Sequence, residues 1–227
     1  MIGIFDSGEG GRNALHEIRK RAPWIDVCYL ADRKNAPYGT KSRDELVELV
    51  SRDVERLLSF GVSGVLMACC TASTVHPLLE KRLRDAAIPI IAPTVREAAD
   101  ITKNGKVGVI ATAATVNSGA FREGLLASGV KDVIEIKAQP LVGIVEKNLL
   151  HSPDRENVAR IIRDTLYPIK TSGVDTLILG CTHFCRLKNI ISGVLPGVKM
   201  ISSSKAGAIE VLKNAPCRGR GQTVYME

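Results

Sequence analysis

Two segments of the chain read as copies of one another, and each ends an apolar run in a cysteine. Gly61-Val62-Ser63-Gly64-Val65-Leu66-Met67-Ala68-Cys69-Cys70-Thr71 aligns without a gap on Gly173-Val174-Asp175-Thr176-Leu177-Ile178-Leu179-Gly180-Cys181-Thr182-His183, at a constant offset of 112 positions. A second pair, Ile2-Gly3-Ile4-Phe5-Asp6-Ser7 and Val107-Gly108-Val109-Ile110-Ala111-Thr112, agrees at the similar offset of 105. Similarity at this period implies two related lobes, because solenoid repeats are shorter. If the lobes face each other, equivalent strand ends place Cys69 and Cys181 on opposite walls of one cleft. Two thiols so placed suit a reaction that removes a proton from one face of a substrate and returns it to the other.

The apolar runs alternate with helical patterns along the whole chain. Candidate strands are residues 2–5, 27–30, 65–68, 88–92, 107–111, 133–137, 177–180 and 198–201. Most are continuous rather than alternating, as parallel strands buried on both faces are. Ser42-Arg43-Asp44-Glu45 is a capping box ahead of Leu46, Val47, Val50, Val54, Leu57 and Leu58, and Gly61 stands where that helix should stop. Ser152-Pro153 offers a second helix start, and Pro168 should kink or end that helix. The expectation is an α/β fold of two pseudo-symmetric lobes, each a mostly parallel sheet flanked by helices, with the active site between them. Lobe one would comprise residues 1–93 plus 205–227 and lobe two residues 94–204, with a crossover near Pro93-Thr94 and a return near 202–205.

Composition limits the rest. At 227 residues, 45% apolar and 24% charged, the chain can bury a full core. No apolar run approaches the roughly 20 residues of a membrane span, so no membrane association is expected. The first residues, Met1-Ile2-Gly3-Ile4-Phe5, show no charged region or cleavage site, which favours a cytoplasmic protein. Six cysteines, two of them adjacent, do not form the pattern of a secreted disulfide framework. The net charge of +7 suits a solvated basic surface or attraction of a small anion. The basic stretch Cys217-Arg218-Gly219-Arg220-Gly221 reads as a flexible arm, without the aromatic residues of a single-strand binder. Nucleic acid is therefore not an expected partner.

Ligands of open α/β sheets bind beyond the carboxyl ends of the strands, and the polar clusters of this chain sit there. Asp6-Ser7-Gly8-Glu9-Gly10-Gly11 follows the first strand; its glycines suit a tight turn or a phosphate cradle, in neither P-loop nor G-x-G-x-x-G spacing. Asp6 is placed either to act on a reacting group or to cap a turn. Pro37-Tyr38-Gly39 shapes the loop after the second strand, where Tyr38 either lines a site or packs. Cys69 and Cys181 each precede a helix start, which would lower a thiol pKa from about 8.5 toward neutrality. His183, two residues from Cys181, can tune or relay its proton, or simply bond the backbone. A zinc site from Cys181, His183 and Cys185, completed by Cys69 or Cys70, is the rival chemistry, although the usual C-x-x-C pair is absent. The same absence argues against a thioredoxin-type redox role. Cys28 and Cys217 carry no motif.

These residues also resemble a known family. Asp6-Ser7-Gly8, Pro37-Tyr38-Gly39 with Lys41-Ser42, Ala68-Cys69-x-Thr71-Ala72-Ser73, Gly108-Val109-Ile110-Ala111-Thr112 with Thr115, Ser118, Gly119 and Ala120, Pro140 with Val145-Glu146, and Leu179-Gly180-Cys181-Thr182-His183 resemble glutamate racemase, of the cofactor-independent aspartate/glutamate racemase superfamily. The resemblance implies that Cys69 and Cys181 are the acid/base thiols, assisted by Asp6 and His183, with Glu146 auxiliary. It implies that Ser7, Pro37, Tyr38, Gly39, Cys70, Thr71, Thr115 and Thr182 line the pocket or contact the amino acid. It implies interconversion of L- and D-glutamate for peptidoglycan synthesis, no cofactor, no metal, a small amino-acid substrate and a homodimer. The chain departs from the family at Cys70, where an asparagine amide usually contacts the substrate; a thiol lacks the amide's paired donor and acceptor. It departs also at Glu9, Arg12 and Asn13, at Cys185 and at Ser202-Ser203-Ser204. A racemase of another amino acid such as aspartate, or a non-catalytic binding protein on the same fold, is the alternative.

Overall fold

The computed structural model describes residues 1–151 and 154–226. Its nine strands are β1 (Ile2–Asp6), β2 (Val27–Ala31), β3 (Val65–Met67), β4 (Ala87–Pro89), β5 (Lys106–Ala111), β6 (Asp132–Lys137), β7 (Thr176–Gly180), β8 (Lys199–Ser202) and β9 (Thr223–Met226). They form two parallel sheets, ordered β4-β3-β1-β2-β9 and β6-β5-β7-β8. The helices are α1 (Arg12–Arg21), α2 (Arg43–Ser59), α3 (Cys70–Ser73), α4 (Lys81–Ala86), α5 (Ile91–Ile101), α6 (Ala113–Asn117), α7 (Ala120–Ala127), α8 (Gln139–Glu146), α9 (Arg155–Thr171), α10 (Lys188–Val194) and α11 (Ser203–Leu212). Among the described residues no helix is long and apolar enough to cross a membrane.

The repeat seen in the sequence is a repeat of structure. Taken from its other edge, the second sheet runs β8-β7-β5-β6, the order of β4-β3-β1-β2 in the first. The register agrees too, with Gly3 opposite Val65 in one sheet and Gly108 opposite Leu177 in the other. Helices α2 and α9 have bounds offset by the same 112 positions as the cysteines. After them, Gly61 and Gly173 both take positive φ, 86° and 73°, which reverses the chain into β3 and β7. Gly3 and Gly108 are equivalent in packing. A Cβ on Gly3 would meet Leu57, Val62 and Val65 within 3.4 Å, and one on Gly108 would meet Ile169, Val174 and Leu177, their counterparts in the repeat.

Among the described residues, three apolar clusters form the core. The largest lies between the sheets, joining Ile2, Ile4 and Leu66 of the first to Val107, Val109 and Ile178 of the second through α1, α5, α7 and α11. Leu46, Val50, Val54 and Leu57 of α2 cover the outer face of the first sheet. Val158, Ile162, Leu166 and Ile169 of α9 cover the outer face of the second. The return after β8 is made by α11, which packs on α1 and α5.

Local expectations were met at Ser42, whose side chain accepts from the Glu45 amide while Glu45 accepts from the Ser42 amide. Ser152-Pro153 lies outside the described residues. Pro168 does not end its helix: α9 continues to Thr171, held by the buried Leu166 and Ile169 on either side of the proline. The apolar run 88–92 is strand only to Pro89 and helix from Ile91. Pro89 has no N–H to extend the ladder, and Ile91, Val95 and Ala98 bury one helical face. Pro93-Thr94 therefore sits inside α5. The basic stretch before the carboxyl end is no free arm. Asp26 accepts the Arg220 and Gln222 amides at 3.0 and 2.9 Å, and the Gly221 amide reaches the Trp24 carbonyl, leading the chain into β9 on the edge of β2.

Candidate active site

One cavity of about 550 Å³ opens at the carboxyl ends of strands from both sheets. Ser7 and Gly8 reach it after β1, Pro37, Tyr38 and Gly39 after β2, and Cys69, Cys70 and Thr71 after β3. The second sheet contributes Thr112 after β5, Gln139 after β6, and Cys181, Thr182 and His183 after β7. Parallel strands make this convergence possible, because all their carboxyl ends point one way.

Cys69 and Cys181 are 7% and 8% exposed. Cys69 caps α3, its sulfur accepting from the Ala72 amide at 3.5 Å and lying 3.3 Å from the Ser7 hydroxyl. Burial, reinforced by the Asp6 carboxylate, pushes its thiol up to about 11. Burial also raises Cys181 well above the usual thiol range, with Cys70 adding to it. The expected drop toward neutrality is thus reversed, since α3 spans four residues and its few amides do not offset desolvation.

Asp6 is buried just behind the cavity lining. Its Oδ1 accepts from the Gly8 amide at 2.8 Å, while Oδ2 is buried without a partner among the described residues. Burial raises its carboxyl, and His183 draws it back. On the other side, Cys181 Sγ lies 3.4 Å from His183 Nδ1. His183 Nε2 lies 3.8 Å from Glu146 Oε1, so thiol, imidazole and carboxylate form a file.

The glycines after Asp6 serve close approach. A Cβ on Gly10 would fall 1.9 Å from the Thr182 hydroxyl oxygen, and one on Gly11 2.6 Å from the Asp6 Cβ. Asn13, at the start of α1, donates from Nδ2 to the Thr182 carbonyl at 2.9 Å. The first loop thereby grips the segment that carries Cys181.

Thr71, Thr112 and Thr115 form a closed ring of hydroxyls, 2.9 to 3.1 Å apart, across the two sheets. Thr71 and Thr112 face the cavity; Thr115 is fully buried behind them. The Tyr38 hydroxyl donates to Asp32 Oδ2 at 2.7 Å, with Asp53 Oδ2 at 3.3 Å. Arg52 binds both carboxylates, so this network fixes the Pro37-Tyr38-Gly39 loop and spends the phenol on it. At the cavity mouth stand Arg12, Arg33 and Arg186, with Glu9 paired to Arg12 and Arg33.

Cys181, His183 and Cys185 do not converge as metal ligands. Cys185 Sγ contacts the Ser202 hydroxyl at 3.2 Å, and among the described residues no group of three or more such side chains could hold an ion.

Residues 15–211 match the Asp/Glu/Hydantoin racemase family. The chain belongs to that family. A glutamate racemase of Persephonella marina is 37% identical over 97% of this chain and 85% of its own length. A glutamate racemase isoform of Bacillus anthracis superposes with a TM-score of 0.88 at 31% identity, over 99% of this chain and 86% of that one. A Francisella tularensis glutamate racemase in complex with D-glutamate superposes at 0.87 with 25% identity, over 99% and 86% of the two chains. The protein is an amino-acid racemase, an isomerase.

Of the residues read from sequence, the racemase brings Ser7, Pro37, Tyr38, Gly39, Cys69, Cys70, Thr71, Glu146, Cys181, Thr182 and His183 to one cavity. Asp6 and Thr115 stand one layer behind it. Sequence reasoning missed Thr112 and Gln139 as lining residues, along with the arginines of the mouth. Thr112 had a signal, since it is the repeat counterpart of Ser7. Gln139 had none.

Proposed function

We propose that this racemase interconverts L- and D-glutamate without a cofactor, by proton transfer between Cys69 and Cys181. The observation that carries the reading is the pair of buried thiols on one cavity, each at the end of an equivalent strand. One sulfur, as thiolate, takes the α-proton. The other, as thiol, gives its proton to the opposite face of the carbanion. The product leaves with the two protonation states exchanged, and for another turnover in the same direction the first thiol gives up its proton and the second sulfur regains one by exchange with solvent through Asp6 and His183. Lobe one, residues 1–93 with 205–227, would supply Cys69, and lobe two, residues 94–204, would supply Cys181.

The raised thiols make activation part of the mechanism. Asp6 beside Cys69 and His183 beside Cys181 are the groups placed to accept a thiol proton, and Glu146 steadies the imidazole. A substrate ammonium in this buried space further favours the thiolate, as a positive charge near an anion does. Each positioned acid or base contributes ~10²–10⁴-fold, so the carbanion also needs donors at its carboxylate. The hydroxyls of Thr71 and Thr112, backed by Thr115, are such donors. The arginine-lined mouth suits an amino acid with two carboxylates, and peptidoglycan synthesis is the expected use of the D-glutamate formed.

The test is solvent deuterium exchange at the α-carbon during decay of optical rotation, with glutamate and aspartate compared and no pyridoxal phosphate present. Exchange of glutamate at the rate of racemisation is expected, and Cys69→Ser or Cys181→Ser should each lower it by at least about 10³-fold. Exchange that depends on added pyridoxal phosphate, or racemisation that survives either substitution, rejects the mechanism. A preference for aspartate rejects the substrate.

A further inference from the structure

We propose that Gln139 is the residue that holds the substrate's ammonium group, and so sets the preference for an amino acid over the corresponding diacid. This rests on the racemase reading of the cavity. Gln139 opens α8 directly after β6, at a strand end equivalent to those that supply the other lining residues. It lines the cavity, yet its Oε1 is buried and has no hydrogen-bond partner among the described residues. Buried acceptors are rarely left unpaired, and leaving one so is costly. The neighbouring backbone is cut to fit this amide. A Cβ on Gly39 would come within 3.2 Å of Gln139 Oε1 and 2.9 Å of the Thr112 Cβ, so only glycine lets the loop close over both.

The chemistry of the substrate then selects the partner. An amide oxygen needs a donor. Glutamate's two carboxylates only accept, and its ammonium is its one donor group. The carboxylates have their own candidates in the threonine hydroxyls and the arginines. Cys70, beside Cys69 on the cavity wall, offers only a weakly bonding thiol. Gln139 thus provides the amide that position 70 does not.

The experiment compares D-glutamate with glutarate, which has both carboxylates and no ammonium, by calorimetry on the wild type, Gln139→Met and Gln139→Glu, with racemisation kinetics alongside. Gln139→Met should weaken D-glutamate binding and raise KM by about tenfold to a hundredfold, the size of a hydrogen bond to a charged group. Its glutarate affinity should stay within about twofold of wild type, because that ligand never used the amide oxygen. Gln139→Glu keeps an acceptor and should keep the preference for glutamate. If Gln139→Met does not fold, Gln139→Ala replaces it with the same expected outcome. Unchanged D-glutamate binding in the apolar variants overturns the proposal, as does equal loss of both ligands, which marks a structural role. A wild type that neither binds nor racemises glutamate overturns the substrate reading itself. An active wild type with indifferent variants overturns this inference alone.

Discussion

Cys69 and Cys181 are buried enough that desolvation governs their acidity. Burial therefore favours the thiol form of both in the free enzyme, while the proposed proton transfer needs one thiolate. The pH dependence of kcat/KM reports the free enzyme and that of kcat the complex. We expect kcat/KM for glutamate to climb between about pH 7 and 9, below the raised thiol values, with kcat levelling off earlier because bound ammonium has already favoured the thiolate. A kcat/KM that falls over this window counts against buried thiols as the acid/base pair. The same shift acts oppositely on stability. Unfolded thiols ionise near 8.5, whereas the folded ones hold their protons. Their contribution is complete below that value and is lost as pH rises through the folded values. Melting temperature should fall as activity rises, and Cys69→Ser should flatten the alkaline decline.

At the scale of elements, the informative contact is between the turn ahead of α1 and the segment after β7. Gly10 leaves no room for a side chain above Thr182, and Asn13 holds the Thr182 carbonyl. Cys181 is thus positioned from the opposite sheet as well as from its own. Gly10→Ala should push Thr182 away, and with it the neighbouring sulfur. A displacement near 1 Å at reacting groups costs on the order of 10²-fold in rate. The expected result is a loss of kcat of that order with the melting temperature lowered only modestly. Alkylation mapped by mass spectrometry should show the reactivity of Cys181 changed more than that of Cys69. Equal change at both cysteines would mean general loosening rather than a local displacement. The glycine run was legible as a turn, but its purpose was not, because the surface it accommodates, at Thr182, lies 172 residues from Gly10 in sequence.

For the whole molecule, the added strand β9 is what breaks the correspondence between the sheets. It covers the edge of β2, stacks Tyr225 edge-on against Tyr29 with centroids 5.8 Å apart, and is reached through the Asp26 contacts. Removing residues 218–227 should expose β2 as an unprotected edge, which invites pairing with other chains. Lower thermal stability and concentration-dependent aggregation are the expected outcomes, read by melting curves and light scattering. An unchanged melt would show β9 to be dispensable. The central cluster between the sheets argues that the two halves melt together, since α1, α5, α7 and α11 bury their apolar faces in one shared core.

The sequence by itself determined the strand–helix alternation, the internal repeat and the two cysteines at equivalent strand ends. These depend on local patterning, and a repeat preserves register along with residue type, as Gly3 and Gly108 show. Tertiary structure decided what depends on contacts between distant residues. It turned run 88–92 from strand to helix at Pro89, carried α9 past Pro168 and bound the carboxyl-terminal stretch to Asp26. It also set the thiols above their ordinary range and, among the described residues, left Gln139 Oε1 in the cavity wall without a hydrogen-bond partner. Burial and hydrogen-bond satisfaction are properties of the packed molecule, and no window of sequence contains all the groups that decide them.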